Sequence, residues 1–197
     1  GFPYHSLEQH LHKLLKAGHR VAICEQVEDP KKAKGIVKRE VVEVLSPGTA
    51  LSEKYLDGRE NNYLASIVFV KEIVGISILD HSTGEFHCGE WPLSDFENVI
   101  QQFNVKEILV SESQASLCKS RLNDSQLFLS TFPDWVADRD TGYGILTDHF
   151  NTNSLKGFGI ENLNSGICAA AATLIYVGQN FQNRIKHITS VSFIHDE

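Results

Sequence analysis

Methionine is absent from all 197 residues, and the chain opens GFPYHS, with neither the basic start nor the apolar core of a secretory leader. A chain without an initiator reads as a piece of a longer protein. No apolar run approaches the roughly 20 residues that span a bilayer; the longest, Ile167 to Val177, is short and Ala-rich. Cysteine is sparse: Cys24, Cys88, Cys118 and Cys168 form no C-x-x-C pair, which leaves no zinc or redox motif. Reduced, mostly buried thiols in a cytoplasmic protein account for them. No G-x-x-x-x-G-K-[ST] loop and no G-x-S-x-G elbow occurs, so P-loop nucleotide binding and hydrolase chemistry have no carrier here. Gly142-Tyr143-Gly144 and Gly157-Phe158-Gly159 lack the strand, turn and helix setting that a dinucleotide needs, and read as loops. Repeats and low-complexity tracts are missing too.

What is present is an ordinary globular composition, 42% hydrophobic and 22% charged. The net charge of −7 is unevenly placed. Residues 1–50 hold eight Lys and Arg against six Asp and Glu, whereas the other 147 hold ten against nineteen. Phosphate contact needs cations, so any nucleic-acid contact belongs to the first fifty residues, and the acidic remainder suits protein partners.

Periodicity predicts a helix over Tyr4–Ala17, capped by Ser6 and striped by Leu7, Leu11, Leu14 and Leu15, with Gly18 as its left-handed exit. Strands follow at Arg20–Val27 and Val41–Leu45, closed by the turn Ser46-Pro47-Gly48, with a domain boundary near 48–56. Tyr63–Lys71, Ile73–Asp80 and Glu85–Trp91 form a meander. A helix capped by Ser94, a strand at Lys106–Ser111, a short helix at Gln114–Arg121, a strand at Gln126–Phe132 and a helix from about Gly144 to Phe150 come next. A long helix runs from Asn162 or Asn164 to about Gln182, and a last strand covers Ile188–Ile194. An antiparallel meander followed by alternating units predicts an α/β fold with one mixed sheet flanked by helices.

Few of these residues suit chemistry. A two-metal nuclease needs close-set carboxylates, yet the first meander strand, YLASIVFV, carries none. Asp80 and Glu85 look like hairpin punctuation, and His81 and His87 like surface histidines. Asn123-Asp124-Ser125 is a sequon that matters only in a secreted protein. The basic corner Lys31, Lys32, Lys34, Lys38 and Arg39 fits either a solvated loop or contact with a phosphate backbone, which would position a duplex without reading bases.

Four motifs carry a resemblance. GFPYH (Gly1–His5), VAICEQ (Val21–Gln26), KGIVKREV (Lys34–Val41) and SPGT (Ser46–Thr49) resemble the latter part of the mismatch-binding domain of the bacterial MutS family of DNA mismatch repair proteins. Ser46 stands where that family has Thr. Leu79-Asp80 with Ser82-Thr83-Gly84, and Gly157–Glu161, are similar to the family's connector domain. The resemblance implies residues 1–50 as the end of the mismatch-binding domain, 51–190 as a ribonuclease H-like connector without nuclease use, and 191–197 as the start of the core domain. It implies a non-catalytic piece that links DNA binding to the core and receives MutL, within a parent that dimerises on mismatched duplex DNA. ATP and Mg²⁺ would belong to the parent's ATPase domain. The family's mismatch-reading Phe-x-Glu has no counterpart here. Trp135, Tyr143 and Ile145, in the stretch Pro133–Ile145, are candidate anchors for MutL; alternatively Trp135 and Phe132 plug the edge of the sheet. A metal-dependent nuclease built on Asp80 is the competing reading. With its preceding chain lost, the stretch 1–50 is expected to fray or swap while 56–185 stays compact.

Overall fold

A computed structural model describes residues 1–31, 35–50, 62–122 and 127–194. The first unit is small. Helix α1 (Leu7–Lys16) buries Leu7, Leu11 and Leu15 on one stripe. Gly18, at φ +77°, ends it, its N–H reaching the Leu15 carbonyl. Ser6 makes no side-chain cap; its own N–H donates to the Pro3 carbonyl instead. Strands β1 (Val21–Gln26) and β2 (Arg39–Leu45) form an antiparallel ribbon, with an irregularity between Ile23 and Cys24.

The main sheet has six strands: β3 (Tyr63–Val70), β4 (Ile73–Asp80), β5 (Glu85–Pro92), β6 (Val105–Ser111), β7 (Phe128–Phe132) and β8 (Ser192–Phe193). Their order is β7-β6-β3-β4-β5-β8. The meander β3–β4–β5 is antiparallel, while β6 runs parallel to β3, β7 parallel to β6, and β8 parallel to β5. This is the mixed α/β architecture that the element order implies. Alternation along β3 splits the core into two layers: Leu64 and Val68 face one side, Ala65, Ile67 and Phe69 the other. Strands buried on both faces read as continuous apolar runs rather than as alternation.

Helices α2 (Phe96–Gln102) and α3 (Ala115–Arg121) cover the second layer, where Phe96, Val99, Ile100 and Cys118 are buried. Ser94 does not cap α2; its hydroxyl donates to Asp95 within a short 3-10 turn. The first layer holds α4 (Arg139–Phe150) and α5 (Ser165–Asn180). Small residues let α5 lie close on the sheet: Ala169 to Ala172 are fully buried, and Gly75 of β4 sits directly under Ser165. Three hydroxyls meet in that layer, Ser66 and Ser77 each 2.6 Å from Thr173. They satisfy one another, as buried polar groups must.

The amino end of α5 is capped from the sheet. Glu90 on β5 accepts the N–H groups of Asn164 (2.6 Å) and Gly166 (3.0 Å) and the Ser165 hydroxyl (3.0 Å). A carboxylate there meets the orphan donors and the positive end of the helix dipole. Glu90→Ala is expected to lower stability by about 1–2 kcal/mol, with Glu90→Gln recovering part of it, both read by urea unfolding.

Residues 1–50 do not stand apart. Leu7, Leu11, Leu15, Ile23 and Leu45 belong to the same buried cluster as Leu146, Ile167 and Val177. The expectation of a frayed or swapped amino end therefore gives way to a seated one: β1 finds its partner in β2, and α1 finds its core against the larger unit.

Candidate functional site

The basic corner is built on the β1–β2 ribbon. Asp29 ends β1 by accepting the Lys31 N–H (2.9 Å), and the Val27 N–H closes the ladder on the Lys38 carbonyl (3.1 Å). Lys31, Lys38 and Arg39 are exposed, as a phosphate contact requires. Lys38, however, already pairs with Glu40 at 2.6 Å, and that hydrogen bond and charge hold its pKa above the usual value. Glu25, Glu28 and Asp29 are exposed on the same ribbon, so the cations share their corner with acids that spacing alone did not weigh. Lys32 and Lys34 lie outside the described residues, as does the sequon at Asn123.

The Pro133–Ile145 stretch divides into an outward and an inward part. Trp135, 57% exposed, rides on a 3-10 turn whose neighbour Val136 is fully buried. Asp134 fastens the turn by accepting the Ser113 N–H (3.1 Å) and hydroxyl (2.8 Å), and those bonds hold its pKa below the usual carboxylate value. Asp138 caps α4, accepting the Thr141 N–H (2.9 Å) and hydroxyl (2.8 Å). Tyr143 turns inward, its hydroxyl donating to Glu161 at 3.1 Å and its ring lying 5.7 Å from the Arg139 guanidinium. Ile145 packs partly buried against the core. Phe132, at 2% exposure, fills the sheet's edge, and Trp135 does not. Of the three candidate anchors, Trp135 alone presents most of its surface to solvent.

Asp80 is committed to its turn, accepting the Ser82 N–H (2.8 Å) and hydroxyl (2.6 Å). Glu85 bonds His87 (2.9 Å). Among the described residues no three His, Cys, Asp or Glu side chains converge as metal ligands would. His81 is not the surface residue its hairpin position suggests. It is buried, stacked on Phe181 with ring centroids 4.1 Å apart and beside His187 at 4.9 Å. No helix among the described residues is long and apolar enough to cross a membrane.

The most elaborate polar arrangement joins the two units, and sequence reading missed it. Glu107, in the middle of β6, is fully buried. Its Oε1 accepts from Ser130 (2.7 Å) and Tyr176 (2.6 Å). Its Oε2 accepts the Ser46 hydroxyl and the Gly48 N–H (3.0 Å). Burial pushes the Tyr176 phenol up to about 12, with the Glu107 charge and hydrogen bond adding to it. The SPGT turn is thus a docking element as well as a chain reversal. One sequence signal pointed to it: a lone acid inside the apolar run VKEILVS.

Comparison with known proteins gives one answer along the whole chain. Residues 1–54 match the family description MutS domain I, and residues 62–189 match MutS domain II. The DNA mismatch repair protein MutS of Flavobacterium psychrophilum is 46% identical over 197 residues, which is 100% of this chain and 23% of that protein. That of Flavobacterium johnsoniae is 44% identical over 200 residues, again 100% of the chain and 23% of the relative. The chain thus spans under a quarter of the length of these curated relatives.

Proposed function

On the premise that the chain belongs to the MutS family, as its domains I and II, we propose that it is the end of the mismatch-binding domain joined to a non-catalytic connector. On this reading the boundaries are 1–50, 51–190 and 191–197, and residues 195–197 lie outside the described ones. The connector links DNA binding to the parent's core and receives MutL, in a cytoplasmic protein that acts as a dimer on mismatched duplex DNA. ATP and Mg²⁺ belong to a parent domain outside these 197 residues, which hold no P-loop. The match to domain II over residues 62–189 carries the reading. The strand order also supports a ribonuclease H-like label: an antiparallel meander whose first strand is followed outward by two parallel ones. Nothing favours the nuclease alternative, because the acid it needs, Asp80, is spent on a turn.

Capture of the cognate MutL by this chain tests the proposal. The unaltered chain is expected to retain MutL. Trp135→Ala should cut retention about tenfold or more, as loss of an exposed aromatic anchor does, while Tyr143→Phe should leave it unchanged. No retention by the unaltered chain sinks the connector reading; full retention by Trp135→Ala sinks only the surface. For DNA, Lys31→Ala and Arg39→Ala should each reduce the salt dependence of binding by about one phosphate contact. An unchanged slope would assign the corner to solvent.

A further inference from the structure

The geometry points to Glu107 as a latch: one buried carboxylate whose two oxygens are divided between the two units, so that the β1–β2 ribbon detaches or seats as a body at this joint. Oε1 is served from the large unit, by Ser130 on β7 and Tyr176 on α5. Oε2 is served, among the described residues, by the small unit, through the Ser46 hydroxyl and the Gly48 N–H. The turn is preset for this. Thr49 receives the Ser46 N–H (3.1 Å), lies 2.7 Å from its hydroxyl, and returns its own N–H to the Ser46 carbonyl (3.1 Å). Ser46, Thr49 and Glu107 are all fully buried, and among the described residues no cation pairs with the carboxylate. Its described partners are three hydroxyls and one backbone amide.

Apolar packing of Ile23 and Leu45 also crosses the seam, but it is non-directional; the other polar contacts there are weaker than those to Glu107. Arg20 donates to Asn180 (3.1 Å), Gln182 to the Val41 carbonyl (2.9 Å) and Arg184 to the Val42 carbonyl (3.1 Å). These are partly or fully open to water, and such contacts contribute little. A buried carboxylate stripped of two donors costs far more. Because Ser130 and Tyr176 keep Oε1 in place, Glu107 stays where it is when the turn leaves, and water can take over Oε2. The joint is therefore built to open at this carboxylate while the large unit's bonds to Oε1 stay in place.

Amide hydrogen exchange on the 197-residue chain tests this, using variants on the turn side so that the sheet keeps all its groups. Ser46→Ala removes one donor to Oε2. Gly48→Ala would place a Cβ 2.6 Å from the Glu107 Cβ and 3.3 Å from the Leu64 Cα, which pushes the turn away. In each variant, exchange across 21–26 and 39–45 should speed up about tenfold or more, with the amides of 63–70 and 73–80 changing less than about twofold. Equal acceleration in both regions would make Glu107 an ordinary core group and overturn the latch. So would unchanged exchange in the ribbon, or ribbon amides that already exchange at unprotected rates in the unaltered chain.

Discussion

Gly75→Ala is expected to destabilise the chain by about 3 kcal/mol, or to prevent folding. Cores forced to accept an extra methyl lose about 1–3 kcal/mol even when side chains can give way. Here they cannot. A Cβ at Gly75 would lie 2.1 Å from the Ser165 carbonyl carbon, 2.2 Å from its oxygen and 2.5 Å from the Gly166 nitrogen. All three are backbone atoms of the amino end of α5, whose position Glu90 also holds. Relief would require lifting a buried helix off β4, which would expose Ala169 to Ala172. Gly144→Ala is the control. Nothing lies within 4 Å of a Cβ there, and alanine in the interior of α4 should raise stability by about 0.5–1 kcal/mol. Denaturant melts of the two variants should therefore move in opposite directions. Equal, small shifts would mean that α5 is not seated on Gly75 as described.

Acid should weaken the fold through His81. Burial pushes its imidazole down to about 4 from an ordinary 6.5, with the neighbouring His187 charge as a lesser cause. Among the described residues its Nδ1 has no hydrogen-bond partner, and its ring stacks on Phe181, a setting made for the neutral form. The unfolded chain binds the proton between those two values and the folded chain does not. The contribution is thus fully present above pH 6.5 and is lost as pH falls toward 4, by about 3 kcal/mol in all. His81→Phe keeps a ring against Phe181 and cannot titrate. Stability measured at pH 7 and at pH 4 should drop less in this variant than in the parent, by that same amount. An identical drop in both would remove His81 as the cause and leave the carboxylates to account for acid sensitivity.

The two cases show where sequence reading works and where it stops. The meander was legible because β-branched runs separated by Thr83-Gly84 admit few alternatives. The stripe of α1 was legible because Leu7, Leu11 and Leu15 recur at helical spacing. Helix α4 was placed too late, from Gly144, because two glycines argue against a helix. The structure begins it at Arg139, with Asp138 as its cap, and Gly142 earns its place by letting α5 approach: a Cβ there would meet Cys168 and Ala171 at 3.4 Å. Ser6 and Ser94 are good cap residues by type, yet neither caps, because each helix is entered through a 3-10 turn that takes up the first donors.

The candidate sites divide in the same way. Exposure of Trp135 and inward use of Tyr143 could not be separated on composition, since both are aromatics in one loop-rich stretch. The difference is made by Glu161 and Arg139, which claim Tyr143, while Trp135 remains 57% exposed. Among the basic residues, Lys38 loses part of its availability to Glu40, which stands two residues on, at the start of β2.

Local pattern alone thus determined most of the element types, the two-unit division of charge and the motifs that place the chain in its family, because each depends on residues within a turn or a strand of one another. Tertiary structure alone decided which polar groups matter. Glu107 meets Ser46 from 61 residues away and Tyr176 from 69, and His81 meets His187 across 106. A buried polar side chain is satisfied or stranded by partners that the fold brings from such distances, and no period in the sequence encodes them.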